Sequence, residues 1–300
     1  MRIGIFGGDT ANRTIDQVVA DAKAAEADGF ASYALPQIFA LDAMGVLAIV
    51  GREVPRITLE TGVVPTYARH PLTMAQQALT VQAASGGRFV LGIGLSHQLV
   101  IENMFGLSFD KPVRHMREYL SVLMPLIHDG AVSFKGETIT TEATVGVEPR
   151  LPCPVLVAAL GTQMLKLAGT MTDGTVTWMT GPATLASHTV PTITAAAEQA
   201  GRPAPRIVTS LPVCVTNDVD AARTRAAKDF QVYGFLPSYR AMLDREGAEG
   251  PADVAIVGDE GTVEKQVRAL ADAGVTEYVA SIFGTREERT QTRALLQTLL

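Results

Sequence analysis

Cysteine is scarce in this chain, and the residue patterns that build metal centres are missing. The only cysteines, Cys153 and Cys214, lie far apart and show no Cys-x-x-Cys spacing. We therefore expect neither a zinc ribbon nor a disulfide scaffold. The His, Asp and Glu residues show no metal-ligand spacing either, so we expect no bound metal. Neither a Gly-x-Ser-x-Gly elbow nor a Walker A motif occurs, which argues against a serine hydrolase and a P-loop nucleotidase.

Positive charge and long apolar runs are also in short supply. The chain carries 25 Lys and Arg residues against 31 Asp and Glu residues, a formal net charge of −6, which argues against a nucleic-acid partner. No stretch reaches the ~18 consecutive apolar residues of a membrane span. The apolar start, residues 1–6, is too short for a signal peptide. We therefore expect a cytoplasmic protein with no membrane or nucleic-acid partner.

The chain does contain a regular alternation of short β-rich apolar runs and longer helix-period segments. Eight of the apolar runs predict strands, at residues 2–7, 31–36, 56–64, 88–95, 154–159, 174–180, 207–215 and 276–283. Eight strands alternating with helices predict an α/β protein whose residues 1–300 form a single (β/α)8 TIM barrel. A doubly wound open sheet is the structural alternative.

Two segments interrupt the alternation and predict insertions into the barrel. Residues 130–140 have the character of a small hairpin around Lys135 and Gly136. Residues 236–259 are polar, rich in Gly and Pro, and fall within the seventh strand–helix unit. We interpret both segments as insertions rather than domain boundaries.

The functional residues of such a barrel follow the C-terminal ends of its strands. Here those positions carry glycine, small residues, hydroxyls and aromatics but little charge: Gln37, Gly62, Val63, Val64, Tyr67, Gly94, His97, Ala158, Ala159, Gly161, Thr162, Thr177 and Trp178. This lining suits a large flat cofactor that carries its own chemistry. Gly161 and Thr162 open a helix directly after a strand, which fits either a phosphate cradle or a plain tight turn.

His97 is a titratable side chain on this predicted face of the barrel. Proton transfer near neutral pH is one interpretation, and a loop histidine that caps the next helix is the other. Trp178, the only tryptophan, fits equally a wall of the site and the core. Cys214 lies within a predicted strand, which favours a core position over a nucleophile.

Three stretches of the sequence resemble the bacterial-luciferase-like oxidoreductases. They are residues 61–71 (TGVVPTYARHP), residues 86–94 (GGRFVLGIG) and residues 158–174, which begin with AALG and end with DG. Within that superfamily the chain most resembles the actinobacterial branch that uses the deazaflavin coenzyme F420. The resemblance implies a (β/α)8 barrel with F420 as the cofactor, or FMN as the alternative. It also implies a homodimer, as in many relatives.

The resemblance further implies how the cofactor is held. In the family the third strand ends in a bulge with a non-proline cis peptide that presses on the central cofactor ring, and the matching bond here is Gly62–Val63. The family's phosphate loop matches Ala159, Gly161 and Thr162. The residues expected to bind the cofactor are Gly62, Val63, Val64, Gly94, Ala158, Ala159, Gly161, Thr162, Thr177 and Trp178.

The loop after the fourth strand holds a proton donor in some relatives, and the matching position is His97. Relatives that act on sugar phosphates have a carboxylic acid there and a histidine after the second strand. This chain has Gln37 at the second place, so we do not expect sugar-phosphate oxidation.

These observations predict an oxidoreductase that moves a hydride between F420 and a small, largely apolar organic substrate. The predicted substrate chamber is walled by Gln37, Phe39, Tyr67, His97, Trp178 and Phe283. An FMN-dependent monooxygenase is the first alternative, and a flavin- or deazaflavin-binding protein without turnover is the second.

Overall fold

The computed structural model describes all 300 residues, and its centre is a closed barrel of eight parallel strands. The strands of the chain are β1 Arg2–Phe6, β2 Ser32–Leu35, β3 Thr58–Thr61, β4 Val64–Pro65, β5 Phe89–Gly94, β6 Ala131–Lys135, β7 Thr140–Thr144, β8 Val155–Ala158, β9 Gly174–Trp178, β10 Arg206–Val215, β11 Ile256–Gly258 and β12 Glu277–Ile282. The barrel runs β1-β2-β3-β5-β8-β9-β10-β12 and closes where β12 pairs with β1. The predicted (β/α)8 fold is confirmed, and the open-sheet alternative is wrong.

Helices cover the outside of the barrel. They are α1 Ile15–Ala27, α2 Ala43–Glu53, α3 Pro71–Ala84, α4 Gln98–Asn103, α5 Pro112–His128, α6 Thr162–Met171, α7 Pro182–Thr184, α8 Val190–Gln199, α9 Val219–Asp229, α10 Pro237–Glu246, α11 Glu260–Asp272 and α12 Arg286–Thr298. A π-helical turn at Leu185–Thr189 joins α7 to α8, and a 3-10 turn covers Gln231–Gly234. None of the helices combines the length and apolar character needed to cross a membrane.

The ends of these elements follow local sequence signals. Thr14 starts α1 with a reciprocal capping box to Gln17, and Thr285 starts α12 in the same way with Glu288. Pro71 begins α3 at a position where a missing N–H removes no helical hydrogen bond. α12 follows the eighth predicted strand, and its capping box is visible in the sequence.

Both predicted insertions contain regular structure. The first is an antiparallel hairpin of β6 and β7 that extends to Thr144 rather than ending at residue 140. The second, residues 236–259, contains α10 and the short strand β11. β11 adds to the outer part of β10, where Val213 faces Ile256, because β10 is long enough to pair beyond the closed barrel.

Gly62 and Val63 lie between β3 and β4, so the predicted continuous strand 56–64 is interrupted. Compared with the neighbouring β5, this stretch contains one extra residue. Glu60 pairs with Val90, whereas Val64 pairs with Ile93, so four steps on one strand match three on the other. Across the gap, the Thr61 hydroxyl donates to the Gly92 carbonyl and accepts from the Gly92 N–H, both at 2.8 Å. The side chain therefore replaces the missing backbone pair. We call residues Gly62 and Val63 the bulge.

The interior of the barrel is filled by small side chains and therefore leaves room for a cavity. Its apolar layer consists of Ala34, Val90, Leu156, Val208 and Val279, with Phe6 and Val176 packed against them. None of the five buried members is aromatic. A chamber can therefore extend downward from the C-terminal ends of the strands.

The opposite end of the barrel interior carries a buried ion cluster. The Arg206 guanidinium donates to Glu60 and to Glu277, each at 2.9 Å, and Ser32 donates to Glu277 at 2.5 Å. Arg2 lies 3.6 Å from Glu277 on the solvent side. Burial and the neighbouring Glu277 raise the pKa of Glu60 to about 7, although Arg206 opposes that shift. Glu277 is thus the better compensated carboxylate of the two.

The raised pKa of Glu60 predicts a pH-dependent penalty on stability. Between pH 4.5 and about 7 the folded chain binds more protons at this site than the unfolded chain, so stability falls as the pH rises. In Glu60→Gln this penalty is absent. Between pH 5 and pH 8 the unfolding free energy of the wild type should therefore fall by about 2 kcal/mol relative to that of Glu60→Gln. Urea denaturation at both pH values measures it, and a difference that does not change with pH contradicts the assignment.

Candidate active site

A cavity of about 790 Å³ opens at the C-terminal ends of the barrel strands. It descends between the strands to Glu60 and Val279 in the barrel interior. The predicted site residues that line it are Gln37, Gly62, Val63, Gly94, His97, Ala158, Gly161, Thr177 and Trp178. The fold therefore brings together side chains and backbone from the ends of five strands.

The bulge forms one wall of the cavity, and its Gly62–Val63 peptide is cis, as the resemblance implied. Gly62 donates its N–H to the Leu35 carbonyl at 2.8 Å, and the Val63 carbonyl accepts from Gln37 at 3.3 Å. The Val63 side chain packs on β5, where a Cβ added at Gly94 would lie 2.8 Å from it. Glycine is required at position 94 because any larger residue would occupy the space that Val63 of the bulge fills.

The N-terminus of α6 opens onto the same cavity. Gly161 is the N-cap of this helix and supplies no side-chain cap, so the first N–H groups are free to bind an anion. Nothing lies within 4 Å of the place where a Gly161 Cβ would stand. Thr162 is exposed at the first helical position, and the His188 ring makes a 2.9 Å hydrogen bond with the Leu160 carbonyl. The geometry fits the phosphate-cradle interpretation.

His97 lies at the rim of the cavity, directly before α4. Ser96 precedes it in a left-handed conformation with φ of 61°, which turns the chain away from β5. His97 occupies the N-cap position, but its ring makes no capping hydrogen bond. Burial lowers the pKa of His97 below its usual 6.5, so the ring is neutral at pH 7. In that state it accepts a proton more readily than it supplies one.

A row of aromatic rings crosses the cavity from β1 to His97. Phe6 stacks on Trp178 at 5.9 Å, and Trp178 meets Tyr233 edge-on at 5.7 Å. Tyr233 and Tyr239 are 5.1 Å apart, and Tyr239 lies 5.7 Å from His97. The indole Nε1 of Trp178 is buried without a hydrogen-bond partner. Trp178 is thus a wall of the cavity and carries an unpaired donor.

Phe6, Tyr233 and Tyr239 also line the cavity but are not among the predicted site residues. The two tyrosines come from the segment after α9, and one of them lies inside the predicted insertion 236–259. No local pattern marks them, because their position depends on how that segment folds back over the barrel. Phe6 is the last residue but one of the first predicted strand, residues 2–7, and an inward-facing aromatic near a strand end is a usable signal.

Two predicted chamber walls lie elsewhere. Phe39 is 60% exposed outside the cavity, where its ring lies 6.5 Å from Phe105. Tyr67 stacks on His115 at 3.9 Å and lies behind the cavity wall, and burial raises the pKa of its phenol to about 12. Both follow strand ends in sequence, but the chain turns outward before it reaches them.

Three further predicted residues do not line the cavity. Val64, Ala159 and Phe283 are buried in the packed interior. Gln37 does line the cavity, but its side-chain oxygen accepts from the Ala43 N–H at 2.8 Å at the start of α2. The Gln37 side-chain oxygen is therefore already hydrogen-bonded to the start of α2. Cys214 is fully buried, as expected for a core residue.

The chain matches the family described as luciferase-like monooxygenase over residues 1–277. An F420-dependent glucose-6-phosphate dehydrogenase of Nakamurella multipartita is 30% identical over 246 residues, which cover 79% of this chain and 70% of the relative. The chain therefore belongs to the luciferase-like family. The chain is also 29% identical over 216 residues to an uncharacterized protein of Mycobacterium tuberculosis. That match covers 67% of this chain and only 64% of the relative.

Solved structures share the whole fold at low identity. An F420-dependent secondary alcohol dehydrogenase in complex with an F420–acetone adduct has a TM-score of 0.81 at 19% identity, covering 100% of this chain and 98% of the other. The oxygenating part of 3,6-diketocamphane monooxygenase from Pseudomonas putida, in complex with FMN, has a TM-score of 0.78 at 16% identity, covering 99% and 96%. At these identities the similarity establishes the fold.

The close packing of Val63 on Gly94 predicts a large effect of one methyl group. Gly94→Ala places a Cβ 2.8 Å from Val63 and 3.1 Å from Ala158, so the bulge or β8 must shift. We expect a loss of about 1–3 kcal/mol in unfolding free energy, typical of overpacking. Gly146→Ala is the matched control, because nothing lies within 4 Å of its added Cβ. Equal denaturation midpoints for the two variants would show that the bulge is not tightly held.

Proposed function

We propose that this protein is an oxidoreductase that transfers a hydride between coenzyme F420 and a small, largely apolar organic substrate. The observation that carries the proposal is one cavity shared by the Gly62–Val63 bulge and the uncapped start of α6. A flat ring system with a phosphate-bearing side chain matches those two features together. Few titratable side chains line the cavity, so the redox chemistry must come from the cofactor.

The residues present fit such a cofactor. Gly62, Val63 and Gly94 would contact its ring, while Ala158 lies between them and the phosphate site at Gly161. When bound, F420 supplies carbon 5 of its central ring as a hydride donor or acceptor. The protein supplies position, an apolar surrounding and a proton-transfer group.

His97 is the proposed proton-transfer group. Because its ring is neutral at pH 7, it can take the hydroxyl proton when an alcohol substrate is oxidised. In the reverse reaction the same ring returns that proton to the substrate oxygen. The relative from Nakamurella multipartita is named for a sugar-phosphate activity, but Gln37 is tied to α2 and does not replace the missing histidine.

Two other functions stay open, and each has its own support. FMN-dependent monooxygenation is favoured by the family match and by the similarity to an FMN-containing monooxygenase. Binding of a deazaflavin without turnover also fits the same cavity. Titration of the purified protein with F420 and with FMN separates the cofactors. We expect micromolar or tighter F420 binding, at least tenfold tighter than FMN binding.

Hydride transfer then tests the proposed activity itself. We expect absorbance changes of F420, or of its reduced form, when the loaded protein meets short secondary alcohols or cyclic enones. Tight FMN binding with negligible F420 binding would favour the monooxygenase instead. Tight F420 binding with no hydride transfer to or from any of these compounds would favour the binding protein.

Replacement of His97 should separate chemistry from cofactor binding. His97→Ala should lower kcat by ~10²–10⁴, the usual contribution of a general base, with the F420 Kd within about threefold of wild type. The loss of wild-type activity at acidic pH should have an apparent pKa below 6.5, and this limb should vanish in the variant. His128→Ala, at the exposed end of α5, is the control. Near-normal turnover of His97→Ala would remove His97 from the mechanism.

A further inference from the structure

Glu60 is the one carboxylate of the ion cluster that also reaches the cavity. Its side chain is 5% exposed, and it is among the lining residues, whereas Glu277 is not. Arg206 occupies its Oε1 at 2.9 Å, and Oε2 has no hydrogen-bond partner. The neighbouring interior residues Leu156, Val208 and Val279 are aliphatic. The deep end of the cavity is therefore largely apolar, and Glu60 Oε2 is its unpaired carboxylate acceptor. The Ser210 hydroxyl also lines the cavity but donates to the Val279 carbonyl at 2.6 Å.

Glu60 is placed so that it can meet a ring that rests on the bulge. It precedes Gly62 by two positions, and alternate residues of a strand share one face, about 7 Å apart. Both line the same cavity. A three-ring system in contact with Gly62 can therefore extend to Glu60 without leaving the barrel interior.

The geometry points to Glu60 as a cofactor-binding residue that accepts a hydrogen bond from the imide N–H of the pyrimidinedione ring of the cofactor. This inference rests on the proposed function. Flavins and deazaflavins share that ring, whose outer edge presents one N–H between two carbonyls. The opposite end carries an acidic hydroxyl in F420 and methyl groups in FMN. Above pH 7, where Glu60 is ionised, its carboxylate repels the ionised hydroxyl and gains nothing from methyl groups, so the imide edge is the end that matches. The binding measurements are therefore made at pH 8.

A methyl group on the imide nitrogen tests the contact directly. The probes are 8-hydroxy-5-deazariboflavin and its N3-methyl derivative, and the readout is the dissociation constant from quenching of Trp178, the only tryptophan. For the wild type we expect N3-methylation to weaken binding at least tenfold, because it removes a donor to a buried acceptor. Equal binding of the two probes overturns the inference.

Two variants separate the hydrogen bond from a merely structural effect. In Glu60→Ala the parent probe should bind about tenfold more weakly, and the effect of N3-methylation should shrink below threefold. Glu277→Ala alters the same ion cluster but does not touch the cavity, so it should keep the full methyl effect. Full retention of the methyl effect in Glu60→Ala would overturn the inference, as would its loss in Glu277→Ala.

Separate control measurements test whether each variant is folded and whether the wild type binds the cofactor at all. Thermal melts establish that each variant is folded, and Glu60→Met replaces Glu60→Ala if the alanine variant does not fold. If the wild type binds neither F420 nor the parent probe, the proposed function fails. If it binds both but ignores N3-methylation, only the role of Glu60 fails.

Discussion

The site of this protein depends on how the bulge between β3 and β4 packs against β5. The bulge gives this stretch one residue more than the part of β5 that pairs with it. The bulge can exist only because β5 offers glycine at the two positions facing it. A Cβ at Gly92 would clash with the Thr61 carbonyl, and a Cβ at Gly94 would clash with Val63. The Thr61 hydroxyl keeps both backbone groups of Gly92 paired, so the barrel stays closed while Val63 projects into the cavity. Two neighbouring strands therefore have to be read together to explain the TGVV and LGIG sequences.

The two ends of the barrel differ in their electrostatics. One end holds a structural ion cluster, and the other forms a binding surface. The N-terminal end holds the ion cluster of Glu60, Arg206 and Glu277, which satisfies buried charge across three strands. The C-terminal end has a helix start without a side-chain cap, an aromatic row and the neutral ring of His97. A surface of that kind binds and orients a reactive molecule but performs little redox chemistry of its own. Glu60 is where the two regions meet.

The parts of the structure with a local or repeated signal were predictable from the sequence. Strand–helix alternation predicted the barrel, and the family resemblance carried by the GGRFVLGIG and TGVVPTYARHP stretches implied the bulge and its cis peptide. The walls contributed by distant segments were not predictable. Phe39 follows a strand end yet points outward, while Tyr233 and Tyr239 lie far from any strand end yet line the cavity. Their places depend on tertiary packing after α9, which has no periodic signature.

A crystal structure with F420 tests the central claim most directly. The account predicts the deazaflavin ring against Gly62 and Val63, with its phosphate on the N–H groups that follow Gly161 at the start of α6. It also predicts the ring edge nearest His97 to be open to a substrate. A phosphate bound elsewhere, or F420 absent from crystals that take up FMN in this cavity, would contradict it.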